Sequence, residues 1–298
     1  MSAKRPLEDG KLDEHDLIPR KKTKQVHSKD PGFSRADQSQ YSDASKTTQK
    51  IEANKVALEN IRIATGQNET SFYKYIDTEN KFHTAMAEIN DKIARAEMIA
   101  VDCEGVDLSR FGSITMINIA LRNQVYLIDV MKIGHVAYDR GLRSLLENAS
   151  IEKLMFDCRE DADALYHLHN VKLDGVLDIQ LLEVMDRIRQ SGYTTIKSLK
   201  HCLELFIPDV TLLHLKLKGS HLMLSSNRIW DKRPINGMLL QYASADVIAL
   251  FHLYDALSKR DVNRTRWRAA SGRYCSSKRS KTRTYRDGDG RLPSVFLT

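Results

Sequence analysis

The sequence predicts an α/β domain with a mixed β-sheet flanked by helices, and three observations carry that expectation. Apolar runs at Met98 to Cys103, Ser113 to Ala120 and Val125 to Asp129 follow one another across very short links. Strands joined so tightly pair antiparallel, as a meander. From about Gly141 onward, helical periodicity alternates with short strand-like runs, the α/β pattern. Finally, 298 residues with 42% hydrophobic content can build one sizeable core and still leave tails.

Residues 1–50 are rich in Lys, Asp, Ser and Gln, lack apolar periodicity and read as a disordered polar tail. Lys4-Arg5 and Arg20-Lys21-Lys22-Thr23-Lys24 form paired basic clusters. They read either as a nuclear-import signal or as a solvated charge run. On the first reading the chain is nuclear, on the second cytoplasmic. Residues 51–70 read as a linker with a short helix over Ile51 to Ala64, and the folded domain is expected over 71–258.

That domain opens with a strand at Phe72 to Ile76. A helix over Lys81 to Ile93 follows, because Phe82, Met86, Ile89 and Ile93 recur at helical spacing. In the meander, Gly105 and Arg110-Phe111-Gly112 mark the first link and Arg122-Asn123-Gln124 the second. Next come a helix at Gly141 to Glu147, a strand at Lys153 to Phe156, a helix at Glu160 to His169 and a strand at Val176-Leu177. Helices at Ile179 to Arg189, Ile196 to Leu205 and Asn236 to Leu257 complete the domain.

Residues 259–298 form a basic extension. Between Lys259 and Arg286 eleven Lys/Arg stand against one acidic residue, interleaved with Trp267, Tyr274 and Tyr285. Such a segment suits phosphate contact with base stacking; a merely soluble tail is the competing reading. The net charge of +7 also points to an acidic partner such as nucleic acid. No apolar run spans a membrane and the N-terminus is hydrophilic, so no membrane partner is expected. Cys103, Cys158, Cys202 and Cys275 lie far apart with no CxxC pair, which suits reduced thiols in an intracellular protein rather than a disulfide framework or zinc site. There is no GxSxG elbow and no phosphate-cradling P-loop, and His167 with His169 reads as helix-end surface.

The chemistry concentrates in three places. In Ile99-Ala100-Val101-Asp102-Cys103-Glu104, strand alternation puts Ile99, Val101 and Cys103 on one face and Asp102 with Glu104 on the other. Two carboxylates pointing one way from a buried strand suit a divalent cation with hard oxygen ligands. In the second stretch, Lys153 to Leu165, an apolar strand runs into the acids Asp157, Glu160, Asp161 and Asp163, each of which helix capping or the helix dipole also explains. In the third, Tyr242 and Asp246 stand four apart on a strongly apolar helix, either as site residues or as a buried hydrogen-bonded pair.

Together these stretches resemble the DEDD superfamily of 3′-5′ exonucleases, in the tyrosine-bearing branch of RNase D and the Werner exonuclease domain. The resemblance covers roughly Phe72 to Leu257. Asp102-Cys103-Glu104 matches the first motif and Tyr242 to Asp246 the third, preceded by Trp230-Asp231-Lys232-Arg233-Pro234-Ile235, which looks like the family's Trp-x-x-Arg-Pro-Leu signature. The histidine-bearing branch would place His where Gln241 stands. For the second motif, the family register one turn into the helix selects Asp161, with Leu165 four residues on, over Asp157 and Asp163. Asp157-Cys158-Arg159 and Gly105-Val106-Asp107-Leu108 further resemble the subgroup around Egalitarian, some members of which lose catalytic acids and act as binding modules. This chain keeps all five positions; Phe156 departs from the His common in relatives, outside the metal set.

The resemblance implies an RNase H-like mixed sheet and two-metal phosphodiester hydrolysis with Mg²⁺ or Mn²⁺. Asp102 would bridge both ions, Glu104 and Asp246 would complete the nucleophile-side site, and Asp161 would hold the second ion. Tyr242 would orient the attacking water, because a phenol with a pKa of about 10 is a poor base at neutral pH. The implied substrate is a single-stranded 3′ end, RNA favoured, released as nucleoside 5′-monophosphates. The rival reading is a catalytically silent RNA-binding or scaffold protein on the same fold. Four converging acids without cations would repel strongly, which weighs against it.

Overall fold

A short strand, β1 (Tyr73–Ile76), begins the part of the chain that this computed structural model describes, residues 73–279 apart from 96–97, 193, 208–209 and 227. The expectations for residues 1–70, Phe72 and Tyr285 lie outside the described residues, as does the basic extension past 279. Helix α1 (Glu79–Ile93) comes next; the Thr78 side chain accepts the Lys81 N–H, and Phe82, Ala85, Met86 and Ile89 form its buried stripe. The three apolar runs become β2 (Ile99–Val106), β3 (Ser113–Leu121) and β4 (Gln124–Ile128), successive neighbours antiparallel. Strand β1 returns parallel to β4.

The chain then forms α2 (Val130–Ile133) and a π-helical turn at Tyr138–Leu142 that runs into α3 (Arg143–Glu147). Strand β5 (Lys153–Met155), α4 (Arg159–His169), β6 (Val176–Asp178) and α5 (Ile179–Ser191) follow. After them come α6 (Leu199–Phe206), α7 (Val210–Ser225), a 3-10 turn at Ile229–Asp231, α8 (Gly237–Leu257) and α9 (Arg264–Ser276). Strands β5 and β6 join in parallel, giving a mixed sheet in the order β1-β4-β3-β2-β5-β6. Strand β2 therefore lies inside the sheet, and α8 crosses β2, β3 and β4. Helix α8 is apolar nearly all round because it is a core helix, with Leu239, Ala243, Val247, Leu250 and Leu253 buried along it. No helix among the described residues is long and apolar enough to cross a membrane.

Besides the single-turn helix α2, which was not expected, two longer helices depart from the sequence reading. Helix α7 lies in a stretch for which no element was expected. Helix α9 occupies the basic segment, and its structure overturns the stacking role expected of two aromatics. Trp267 and Tyr274 are buried against β6, α4 and α5. Trp267 Nε1 donates to the Asp178 carbonyl at 2.7 Å and the Tyr274 hydroxyl to Gln180 Oε1 at 2.7 Å. Neither ring is open to a base. Trp267, Ala270, Ser271, Tyr274 and Cys275 recur at three- and four-residue spacing, an apolar stripe hidden among the arginines. Packing thus continues past residue 258. His169 also differs from helix-end surface: it stacks on Tyr138 with ring centroids 4.1 Å apart, and burial brings its pKa down to about 4.

One buried carboxylate ties the two crossover helices together. Asp178 Oδ2 accepts the Cys158 N–H at 2.9 Å, at the start of α4, while Oδ1 accepts from Gln180 at 2.9 Å and Leu181 at 3.3 Å, at the start of α5. Burial outweighs these donors and pushes its pKa up to about 6. Asp178→Ala would strand three buried N–H groups, each costing on the order of 1–3 kcal/mol when fully unsatisfied. After partial relaxation the expected loss is roughly 2–4 kcal/mol in urea unfolding. A loss within error of zero would show that Asp178 does not hold these helix starts.

A candidate metal centre between strand β2 and helix α8

Alternation along β2 buries Val101 and Cys103 on one side and turns Asp102 and Glu104, both half-buried, to the other. The register against β3 shifts between Glu104 and Gly105. At Gly105 an added Cβ would lie 1.8 Å from the Ser113 carbonyl oxygen, so the strand can continue beside β3 there only without a side chain. Facing this edge, α8 presents Tyr242 and Asp246 one turn apart, both buried. One oxygen each from Asp102, Glu104 and Asp246 lies within 4.8 Å of the other two.

The three competing acids after β5 separate by their partners. Strand β5 pairs with β2 only as far as Ala100, which leaves the Cys103 N–H open, and Asp161 Oδ1 accepts it at 3.1 Å. Asp161 thus sits against β2 without belonging to the 4.8 Å trio. Asp163, fully buried, accepts the Arg110 backbone N–H at 3.0 Å and pairs with its guanidinium at 2.7 Å. Asp157 pairs with Arg159 at 2.5 Å, its backbone in the left-handed region at φ 54°. The Asp157 carboxylate goes to Arg159 on both oxygens, while Asp178 takes the N–H of Cys158, the residue immediately before α4.

The turn before α8 sets the helix in place. Arg233 donates to both oxygens of fully buried Asp129, at 2.6 and 2.8 Å, and to the Trp230 carbonyl at 2.8 Å. The Tyr75 hydroxyl also donates to Asp129, so this carboxylate links α8's entry to the ends of β1 and β4. The Trp230 ring lies 6.4 Å from that of Tyr242.

Sequence reasoning missed Lys216, on α7. Its Nζ donates to Asp246 Oδ2 at 2.6 Å and to the Tyr242 hydroxyl at 2.7 Å, and lies 4.4 Å from the Tyr242 ring centroid. A signal existed: Lys216 stands four residues after Leu212 and three before Gly219, the stripe by which α7 is buried.

Burial raises the pKa of Asp102 and Glu104 well above the carboxylate range, and repulsion from the neighbouring acids adds to it; Lys216 pulls both back. The Asn118 amide, opposite Asp102 in the β2–β3 pair, also favours the ionised form of Asp102. Burial takes Asp161 up to about 7. The Tyr242 phenol is driven far above its usual value by burial and then by Asp246, so it stays protonated. Asp246 is raised by burial, against the pull of Lys216, and its Oδ1 is buried without a hydrogen-bond partner. Clustered hard oxygens with one buried, unpartnered acceptor fit a divalent cation of the Mg²⁺ or Mn²⁺ kind.

Residues 73–260 match the family described as 3′-5′ exonuclease. The piRNA biogenesis protein EXD1 of Mus musculus is 27% identical over 206 residues, covering 66% of this chain and 35% of that protein. Its Bombyx mori counterpart is 27% identical over 199 residues, 62% of this chain and 57% of that one. The chain therefore spans between about a third and three fifths of the length of these curated relatives. Among solved structures, Trypanosoma brucei RNase D in complex with GMP shares the fold at a TM-score of 0.67 and 23% identity, over 76% of this chain and 71% of that one. The same enzyme in complex with RNA U12 gives 0.64 and 22%, over 76% and 77%.

The raised pKa of Asp161 has a consequence for stability. The folded state binds this proton more tightly than the unfolded chain, where Asp titrates near about 3.9. Its contribution is complete below that value and is lost as pH rises through about 7. In EDTA, the urea midpoint of the wild type should fall between these pH values more steeply than that of Asp161→Asn, which still accepts from Cys103. Parallel slopes would contradict the shift.

Proposed function

The chain belongs to the 3′-5′ exonuclease family, and from that premise we propose that it is an active, metal-dependent exonuclease that shortens nucleic acid, preferentially RNA, from a single-stranded 3′ end. The observation that carries this reading is the convergence of Asp102, Glu104 and Asp246 within 4.8 Å, with Asp161 fastened to the same strand. Asp102, Glu104 and Asp246 would hold one cation and Asp161, with Asp102, a second. Bound Mg²⁺ or Mn²⁺ supplies a more acidic water and offsets the charge that develops on the phosphodiester.

The chain's own groups divide the remaining work. Tyr242 keeps its proton, so it orients the attacking water by hydrogen bonding and does not act as a base. Asp246, one turn further along α8, shares that helix face, so water and carboxylate are aligned by one rigid element. The Arg233–Asp129 pair keeps α8 against β2 and so preserves the spacing of the trio. The product is a nucleoside 5′-monophosphate.

RNA is favoured because the relatives that cover most of the chain are named for piRNA biogenesis and the RNase D structure holds RNA U12. The clusters at Lys4 and Arg20 favour a nuclear location, with the cytoplasm as the alternative. The silent scaffold remains the second reading, favoured by one observation: Lys216 already neutralises Asp246.

Labelled RNA and DNA oligonucleotides, incubated with the full chain in Mg²⁺, Mn²⁺ or EDTA, separate the two. The expected result is stepwise, metal-dependent shortening from the 3′ end, faster on RNA. Asp102→Ala, Asp161→Ala and Asp246→Ala should each reduce it by about 100-fold or more, whereas Asp157→Ala should lower stability and leave cutting. Tight binding without cleavage in either metal would favour the scaffold, and the reverse pattern for Asp157 and Asp161 would mean that the second motif is misplaced by four residues.

A further inference from the structure

Lys216 has no part in the proposed hydrolysis, yet its side chain contacts groups of the site: Asp246 Oδ2, the Tyr242 hydroxyl and the Tyr242 ring. The side chain is only 13% exposed, so the ammonium is committed to this position. We propose that Lys216 is a tethered cation that closes the metal centre, and that a divalent ion binding at Asp246 expels it together with α7. The proposal rests on the metal reading, and its test is separate from cleavage.

The competition is electrostatic. Asp246 has one oxygen on Lys216 and the other buried without a partner. A doubly charged ion ligated by this carboxylate would lie within a few ångströms of the ammonium, where repulsion between the two cations is strong at any interior dielectric. One of them must leave, and the ammonium has only one carboxylate contact, whereas the ion is offered three.

Helix α7 is built to let it leave. Among its described side chains only Leu212 and Gly219 are buried, and Leu224 is 84% exposed. Leu222 and Met223, partly buried against the core, are the further apolar contacts that α7 would give up, fewer than those of α8, which buries residues along its whole length. The closed position is nevertheless specific. Gly219 lies on Tyr242, where an added Cβ would sit 2.1 to 2.5 Å from the Tyr242 Cδ2, Cγ and Cβ atoms. A glycine inside a helix is unfavourable relative to alanine; here it lets the helix lie flush enough for Lys216 to reach Asp246. Lys218, two residues on, is exposed and serves as an internal reference.

Acetylation of the full chain with a water-soluble N-hydroxysuccinimide ester, read by mass spectrometry, reports the position of Lys216 directly. In EDTA, Lys216 should react at least tenfold more slowly than Lys218. With Mn²⁺ its rate should approach that of Lys218, while Lys218 itself stays constant. Gly219→Ala should raise Lys216 labelling already in EDTA. By calorimetric titration, Lys216→Met should bind Mn²⁺ about tenfold more tightly than the wild type, and Lys218→Met no more tightly. Equal labelling of the two lysines in EDTA, or saturable Mn²⁺ binding with Lys216 still protected, would overturn the gate. If Lys216→Met does not fold, wild-type labelling still decides. A chain that takes up no Mn²⁺ at all would overturn the metal reading and the gate together.

Discussion

One oxygen each from Asp102, Glu104 and Asp246 lies within 4.8 Å of the other two, a repulsion that the rest of the structure has to answer. At about 5 Å and an effective dielectric near 20, each ionised pair repels by roughly 3 kcal/mol. That is a large fraction of the ~5–15 kcal/mol by which domains are stable. Such a cluster persists only if the charge is answered by protons, by a cation from the protein or by cations from solution. Raised carboxylate pKa values are the first answer, and Lys216 on Asp246 is the second. The oxygens that Lys216 leaves unanswered, Asp246 Oδ1 among them, mark where the third would act.

The scaffold's task is to keep these acids together against their repulsion. Strand β2 pairs with β3 through Asp102 and Glu104, and Asp161 fastens its other side at the Cys103 N–H, so the two acids are held in place. Helix α8 is fastened at its entry by the buried Arg233–Asp129 pair, whose bidentate geometry resists both sliding and rotation. Helix α4 is held twice, by Asp178 at its start and by Asp161 on the Cys103 N–H. Breaking any one of these would leave a buried charge or donor unanswered, so site geometry and fold stability are coupled.

Much of this was legible from periodicity. Period-two alternation placed Asp102 and Glu104 on one face, and a four-residue step placed Tyr242 above Asp246; the structure has both arrangements. The meander followed from link length alone. Asp161 stood apart from Asp157 and Asp163 only through a family register, because local pattern makes all three equally good helix-start acids. What separates them is tertiary: an open strand N–H for Asp161, an arginine from another loop for Asp163 and a left-handed backbone for Asp157. Helix α9 was misjudged because eleven basic residues masked a five-residue stripe. Lys216 was missed because its partners lie 26 and 30 residues away on another helix.

The role of the site depends on whether these acids converge in order to hold divalent cations. The most direct measurement is a crystal structure of the chain grown with Mn²⁺, with data collected to reveal manganese by anomalous scattering. The expected map has a manganese peak ligated by Asp102, Glu104 and Asp246, with the Lys216 ammonium withdrawn from Asp246. Saturating Mn²⁺ with no peak among these three carboxylates, and Lys216 still bridging Asp246 and Tyr242, would contradict the account.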